Sequence, residues 1–468
     1  MAAAQRSSVV DEIFLRTHRG LGTPIALQGL WRTADRVDPE LLWQVHAALR
    51  VGPLGRRVIR PSVPGARRSW RANTRAYPLE FTDGTIATGD LLEWAGEQGA
   101  NLDPEYGPGW RLSTAALDDG GSIVSLTCSH ALADGRALVL AVDDALGGPS
   151  LTTSSVQAMR SPDTGSGMMS APSPMAREPD RSEARANAAL GRETPAPASD
   201  WSDARRQWAI VVRGTFRALR HGIPARPTRT ASTRAGGLSA RERGSIAGGV
   251  GVDSAPTLGV VLQCPAADWE SAAAAQGGTA NSLFIALIAK MLWASGFPGV
   301  TIDASLPVDT RDEPRVDNDL AMTEITIERI DTPATIRKKA RIAYERHMSS
   351  PGGMPEELLQ VIPDRWAYAL SKGAGERDIL CSNIGTLPDS LRTLGPHRCT
   401  GVAARAIHPG LTADRLPSTR LSGYLSRIAD TYTLAVVSLD PAHIDTPETL
   451  RALAHETATA VGLPITLW

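Results

Sequence analysis

The sequence has few cysteines and no pairing pattern among them. Cys128, Cys264, Cys381 and Cys399 lie far apart, and none forms a Cys-x-x-Cys pair. That argues against a disulfide framework and leads us to expect a reducing, cytoplasmic setting. Net charge is nearly absent too, at −1, so no bulk field gathers nucleic acid, and none is expected as a partner. The longest apolar stretch, residues 282–296, is broken by Lys290 and is too short to cross a bilayer. Residues 1–20 mix Arg6, Asp11, Glu12 and Arg16 into their apolar positions and read as no signal peptide. The protein is expected to be soluble, with peripheral membrane contact still open to it. No Gly-x-Ser-x-Gly elbow and no P-loop occurs, which disfavours serine hydrolases and nucleotide hydrolases. No His-x-x-x-His pair occurs, so no metal site is expected.

The chain has 468 residues, 42% hydrophobic and 21% charged, an ordinary balance for a folded protein. Its length calls for two or three domains, or for two lobes and a long connection. Residues 1–146 read as a first lobe. It has a strand at 25–31 and a helix at 38–49 capped by Asp38, with Leu41, Leu42, Val45 and Leu49 on one face. A hairpin follows at 109–117 and 122–129 around Asp118-Asp119-Gly120-Gly121, then a helix at 135–146 burying Leu138, Val142 and Ala145.

Residues 147–254 read as a connection. To about residue 200 it is rich in Pro, Ser, Ala and Gly, has no hydrophobic period, and is expected to be largely disordered. One helix is expected at 203–220, followed by a loose stretch at 221–254. Residues 255–468 read as a second lobe. Strands are expected at 257–264, 300–306 and 321–330, and a hairpin at 421–428 and 431–439 across Ala429-Asp430. Helices are expected at 281–293, 332–346 and 446–461. Each lobe mixes strands and helices in α+β fashion.

The chemistry concentrates at the end of the 122–129 strand. Side chains alternate along it, so Val124, Leu126, Cys128 and His130 share one face. The strand delivers an imidazole to its end, just before a helix. Asp134 sits at the N-cap position, and Gly135 opens the helix with no Cβ to obstruct an approaching group. An imidazole titrates near working pH, so it can take a proton and return it within one turnover. The plainer reading is a structural histidine and a capping aspartate. A Cys128–His130 nucleophilic pair does not fit, because positions i and i+2 on a strand lie about 7 Å apart. Cys128 is read as a small buried hydrophobe.

Ser129-His130-Ala131-Leu132-Ala133-Asp134-Gly135 resembles the His-His-x-x-x-Asp-Gly (HxxxDG) motif of a large superfamily. That superfamily joins chloramphenicol acetyltransferase, nonribosomal condensation domains, wax ester synthases and mycobacterial polyketide-associated acyltransferases. Three further stretches fit in order: Thr279-Ala280-Asn281 before an apolar helix, Leu306-Pro307-Val308-Asp309-Thr310-Arg311 followed by Asn318, and Ser382-Asn383-Ile384-Gly385. The resemblance spans nearly the whole chain apart from the connection. Two features depart from it. Ser129 stands where the first histidine would be, and the Pro-Leu-Trp-Glu stretch of wax ester synthases is not apparent.

The resemblance implies an α+β fold of two chloramphenicol acetyltransferase-like lobes, each a mixed sheet with helices, and an active-site tunnel between them. It implies an acyltransferase with His130 as general base. The donor would be acyl-CoA or a phosphopantetheine thioester on an acyl carrier protein, and the acceptor a hydroxyl or amine, in lipid or secondary-metabolite biosynthesis. Arg311 would pair with Asp134, and Ser382 or Asn383 would contact substrate or the oxyanion. No permanently bound cofactor is implied. A free-standing condensation enzyme and a catalytically silent binding module of the same fold are the alternatives.

The helix expected at 203–220 puts Trp208, Val211, Val212, Phe216 and Leu219 on one face, and Arg206, Arg213, Arg217 and Arg220 on the remainder. The plain reading is a connecting helix packed on a lobe. The sharper ones are docking to an anionic lipid surface, or to an acidic carrier protein or a CoA phosphate.

Overall fold

Helix α1 (Val9–His18) starts where it does because Ser8 and Asp11 cap it reciprocally. The Ser8 hydroxyl accepts from the Asp11 N–H at 3.0 Å, and the Asp11 carboxylate accepts from the Ser8 N–H at 2.8 Å. This helix was not anticipated from the sequence. The computed structural model describes residues 5–147, 199–220, 257–345, 357–371 and 376–468. Most of the Pro/Ser-rich stretch and the loose stretch expected at 221–254 lie outside the described residues.

The first part continues with β1 (Ala26–Thr33), α2 (Pro39–Val51) capped by Asp38, and a small ribbon of β2 (Arg56–Ile59) and β3 (Ser69–Ala72). Then come β4 (Glu80–Ile86), α3 (Leu91–Glu97), the hairpin β5 (Trp110–Leu117) and β6 (Ser122–Ser129), and α4 (Gly135–Gly147). Helix α5 (Asp200–Arg220) begins three residues before the expected position. The second part runs β7 (Leu258–Pro265), α6 (Ala266–Ala275), α7 (Ala280–Ala294), β8 (Thr301–Asp309), β9 (Leu320–Glu328) and α8 (Pro333–Glu345). It continues with α9 (Leu358–Val361), α10 (Asp364–Ser371), β10 (Ile379–Thr386), β11 (Thr393–Leu394), β12 (His397–Ile407), β13 (Leu421–Ile428), β14 (Thr431–Ser438), α11 (Pro447–Ala460) and β15 (Thr466–Leu467).

Two large sheets organise these elements. The first has strand order β11-β12-β1-β6-β5-β4, the second β15-β7-β14-β13-β10-β8-β9. Both mix directions: β4 runs parallel to β5, and β10 runs parallel to both β13 and β8. The architecture is α+β with two lobes. Helix α7 is apolar on nearly every side and is buried in the second core, consistent with a central helix rather than a surface one. Among the described residues, no single helix is long and apolar enough to cross a membrane.

Sequence order and lobes do not coincide everywhere. Strand β12 comes late in the chain, yet it pairs antiparallel with β1, from Ala26 opposite Ile407 to Thr33 opposite Cys399. On its other side β1 pairs with β6, so β12 satisfies the remaining row of β1 peptide groups. Arg405 pins the crossing strand. Its Nε donates to Gln28 Oε1 at 2.8 Å, and its Nη2 donates to the Leu92 carbonyl at 2.9 Å.

Helix α5 is held to the first lobe by its first turn. Asp200 pairs with Arg6 at 2.8 Å and accepts from the Ser62 N–H, while Asp203 pairs with Arg67 at 2.8 Å. Ala204 packs with Val63 and Ala66. Gly65, at φ +84°, lies against the Trp208 indole, where a Cβ would meet Nε1 at 2.4 Å.

Candidate active site

A cavity of about 1420 Å³ lies between the lobes. Its walls come from α1, α4, β1, β12, the β8–β9 connection, β10 and α9. Phe14, His130, Leu138, Asn318, Ser382 and His408 are among its lining residues. Apolar side chains dominate the wall beside α4, where Val139, Val142, Leu387 and Leu391 line the space and belong to one packed cluster.

His130 sits where β6 ends. Its N–H donates to the Ile25 carbonyl at 3.4 Å, which continues the β6–β1 pairing by one residue. Its ring stacks on Phe14 of α1, with centroids 3.5 Å apart and planes 14° apart. Its Nδ1 is buried and has no hydrogen-bond partner. Burial pushes the imidazole well below the ordinary histidine value, and its own backbone carbonyl, Asp134 and Asn318 pull it back only in part. The ring is therefore neutral at neutral pH and can accept a proton.

The backbone around His130 is held from the opposite lobe. Asn318 Nδ2 donates to the His130 carbonyl at 2.9 Å and also lies 3.2 Å from the Ala131 carbonyl and 2.8 Å from Asp11 Oδ1. Asp11 is itself buried and takes a bond from Trp70 Nε1 at 3.3 Å. Arg56, stacked 4.3 Å over Trp70, donates to the Leu132 carbonyl at 2.6 Å. The turn from 130 to 134 is thus clamped by α1, β2 and the β8–β9 connection together.

Asp134 divides its two oxygens. Oδ1 accepts from the Ala137 N–H at 2.9 Å, a helix cap, while Oδ2 lies 2.6 Å from Arg311 Nη2 and accepts from the Asp319 N–H at 3.0 Å. Both side chains are nearly fully buried, at 5% and 4% exposed. Arg311 also meets Asp309 at 2.7 Å. Burial alone would lower the Arg311 pKa, but the two carboxylates outweigh it and the value lies above that of an ordinary arginine. A Cβ on Gly135 would meet Ile384 Cδ1 at 2.9 Å, so glycine lets α4 approach β10 closely.

The structure separates the two β10 candidates. Leu380, Ser382 and Ile384 line the cavity, whereas Asn383 is exposed and donates to Asn281 Oδ1 at 3.0 Å on α7. Strand alternation sends it away from His130. Cys128 is fully buried, and burial pushes its thiol up to about 12, so it is no thiolate nucleophile. Ser129 is buried, and its Oγ accepts from the Ala131 N–H at 3.4 Å, closing the turn.

Three site residues escaped the sequence reading. Asp11 and Phe14 come from α1, whose Ser8–Asp11 capping pair was the available signal. The third is His408, buried just after β12, whose Nδ1 donates to the Pro24 carbonyl at 2.9 Å. Burial pushes it down to about 4, and His130 is close enough to lower it further. Among the described residues, no group of three or more His, Cys, Asp or Glu side chains could hold a metal ion.

No family model matches the sequence, and no curated protein matches it. Solved structures do match over nearly the full chain. The first condensation domain of the CDA synthetase aligns with TM-score 0.54 at 13% identity, covering 99% of each chain. A mutant starter condensation domain of rhizomide synthetase in complex with C8-CoA aligns with TM-score 0.52 at 15% identity, covering 98% of this chain and 94% of that one. Polyketide synthase associated protein 5 from Mycobacterium tuberculosis aligns with TM-score 0.50 at 14% identity, covering 98% and 99%. The chain shares the two-lobed fold of these condensation domains and of polyketide synthase associated protein 5.

Proposed function

We propose that the protein is an acyltransferase that moves an acyl group from a thioester to a hydroxyl or amine, with His130 as general base. The observation that carries this reading is His130 itself: a neutral imidazole, clamped from both lobes, on the wall of a large and mostly apolar cavity. In the step proposed, the imidazole takes the proton of the acceptor as its oxygen or nitrogen attacks the thioester carbonyl. The tetrahedral oxyanion then collapses, the carbon–sulfur bond breaks, and the imidazolium returns its proton to the departing thiolate. The Ser382 hydroxyl is the proposed donor to the oxyanion, since it lines the cavity and Asn383 does not.

The donor would be acyl-CoA or a carrier-bound acyl group, two forms of one phosphopantetheine thioester, with no permanent cofactor. The C8-CoA held by the starter condensation domain of the same fold supports the CoA form. A cytoplasmic place in lipid or secondary-metabolite assembly belongs to the same proposal.

The test is a panel of acyl-CoA donors, with alcohol and amine acceptors, read by release of free thiol. His130→Ala should fold normally and lose about two to four orders of magnitude in turnover. Near-normal thiol release by a folded alanine variant would refute the base assignment. Absence of thiol release by the unmodified protein across the panel would favour a silent binding module.

A further inference from the structure

Helix α5 packs on the rest of the described protein mainly along one side, and at the edge of that side the Trp208 indole rests against Gly65. Asp203, Ala204, Gln207 and Val211 form its buried side. At 100° per residue, the opposite side carries two adjacent stripes. The first is apolar: Trp201, Val212 and Phe216 are 67%, 60% and 57% exposed, and it is bordered by Trp208, whose indole lies on Gly65 with one part open. The second is basic: Arg206 and Arg213 are exposed. Past Asp203 the helix has no acidic residue. Among the described residues, its ion pairs are those of Asp200 and Asp203 in the first turn.

We propose that α5 docks the protein onto an anionic lipid surface. Large exposed rings beside guanidinium groups are what a lipid interface accepts. Indole and phenyl rings settle at headgroup depth, and arginines meet phosphates. From Trp201 to Phe216 the apolar stripe is about 22 Å long. A folded protein partner would need a matched pocket for each of its large side chains, whereas a bilayer needs none. Arg205, between Val212 and Phe216 on the wheel, reaches outward along its stem to the headgroups. The position suits the cavity as well. Helix α5 packs against α9, and Leu358 and Leu359 of α9 line the cavity wall.

The test uses the full-length chain and flotation with two vesicle types, phosphatidylcholine alone and phosphatidylcholine mixed with phosphatidylglycerol. The unmodified protein should float with the mixed vesicles and stay behind with the neutral ones. Its tryptophan emission should shift to the blue on binding, and added salt should reverse the flotation. Arg206→Glu with Arg213→Glu should abolish flotation, and Trp201→Ser with Phe216→Ser should weaken it at least tenfold. Circular dichroism should show both variants folded. No flotation of the unmodified protein, or flotation undiminished in both variants, overturns the proposal. Capture by an immobilised acidic acyl carrier protein without any vesicle binding, lost in the same variants, overturns it in favour of a protein-docking surface.

Discussion

At the level of single residues, Asp134 and Arg311 are unequal partners. Asp134→Asn keeps the cap, because asparagine caps about as well, and Arg311 retains the Asp309 carboxylate. Its cost should be about 1–3 kcal/mol, that of a lost charge-assisted hydrogen bond. Arg311→Ala is harsher: it leaves a buried carboxylate held only by backbone N–H groups, at about 3–5 kcal/mol. Urea unfolding of both single variants and the double variant should show coupling, since the second removal no longer strands a charge. Strict additivity would reduce the pair to a cap and a bystander.

The two imidazoles make a pH prediction. His408, and His130 in the same direction, lie below the ordinary value of 6.5, His408 at about 4. The unfolded chain therefore binds more protons than the native one between these pH values. Their contribution to stability is full above about 6.5 and is lost as pH falls toward about 4. His408→Gln should flatten part of that slope in denaturation series taken at pH 7 and pH 5. The acid limb of kcat/KM should likewise fall below 6.5, because a depressed base stays neutral further into acid. A limb at or above 6.5 would contradict the environment described for His130. Mixing with donor alone should leave the intact mass unchanged, and an acyl adduct on Cys128 would sink direct transfer.

Much of this local chemistry was legible. The HxxxDG spacing located His130, Asp134 and Gly135, and the 306–311 segment located Arg311, because these contacts lie in or beside short local patterns. Asn383 was misplaced beside Ser382, although strand alternation allows only one of two neighbours to face a cavity. Asp11, Phe14 and His408 were not legible, because their meeting with His130 depends on packing across more than a hundred residues of chain.

Among the elements, α1 carries more of the site than its ten residues suggest. It stacks Phe14 on the base and supplies Asp11 to Asn318, which holds the His130 carbonyl. Asn318→Ala would take the donor from Asp11 Oδ1, whose other oxygen keeps Ser8 and Trp70, and from the His130 and Ala131 carbonyls, costing about 2–4 kcal/mol by summing modest unmet-acceptor penalties. Turnover should fall with it, and the acid limb of kcat/KM should move further into acid, since Asn318 is one of the groups that hold the imidazole's proton affinity up. Phe14→Ala should do the reverse: opening one ring face to water should raise the acid limb of kcat/KM. Equal effects of both variants on the pH profile would show that α1 acts only as filler. Nothing in the sequence of α1 announces this role. Its capping pair marks a helix start but not the surface it will cover.

For the whole molecule, a two-lobed organisation could be read from length and composition, while the crossing of β12 could not. A strand names its own faces by alternation, but not which distant edge it will join. That crossing has a consequence for how the chain can be divided. A cut within residues 148–198 would spare every described helix and strand, yet it would not yield two self-sufficient halves. The fragment 1–147 would keep β1 with one row of peptide groups bare, an edge primed for aggregation. The fragment 199–468 would carry the missing strand with no sheet to receive it. Expressed alone, each should be insoluble or aggregated; expressed together, they should co-elute as one particle, joined by donor-strand complementation. A soluble, monomeric 1–147 fragment would disprove this. Co-elution of the two pieces would make the protein, in effect, a ready-made split reporter, one whose reassembly signals that two separately encoded pieces have met.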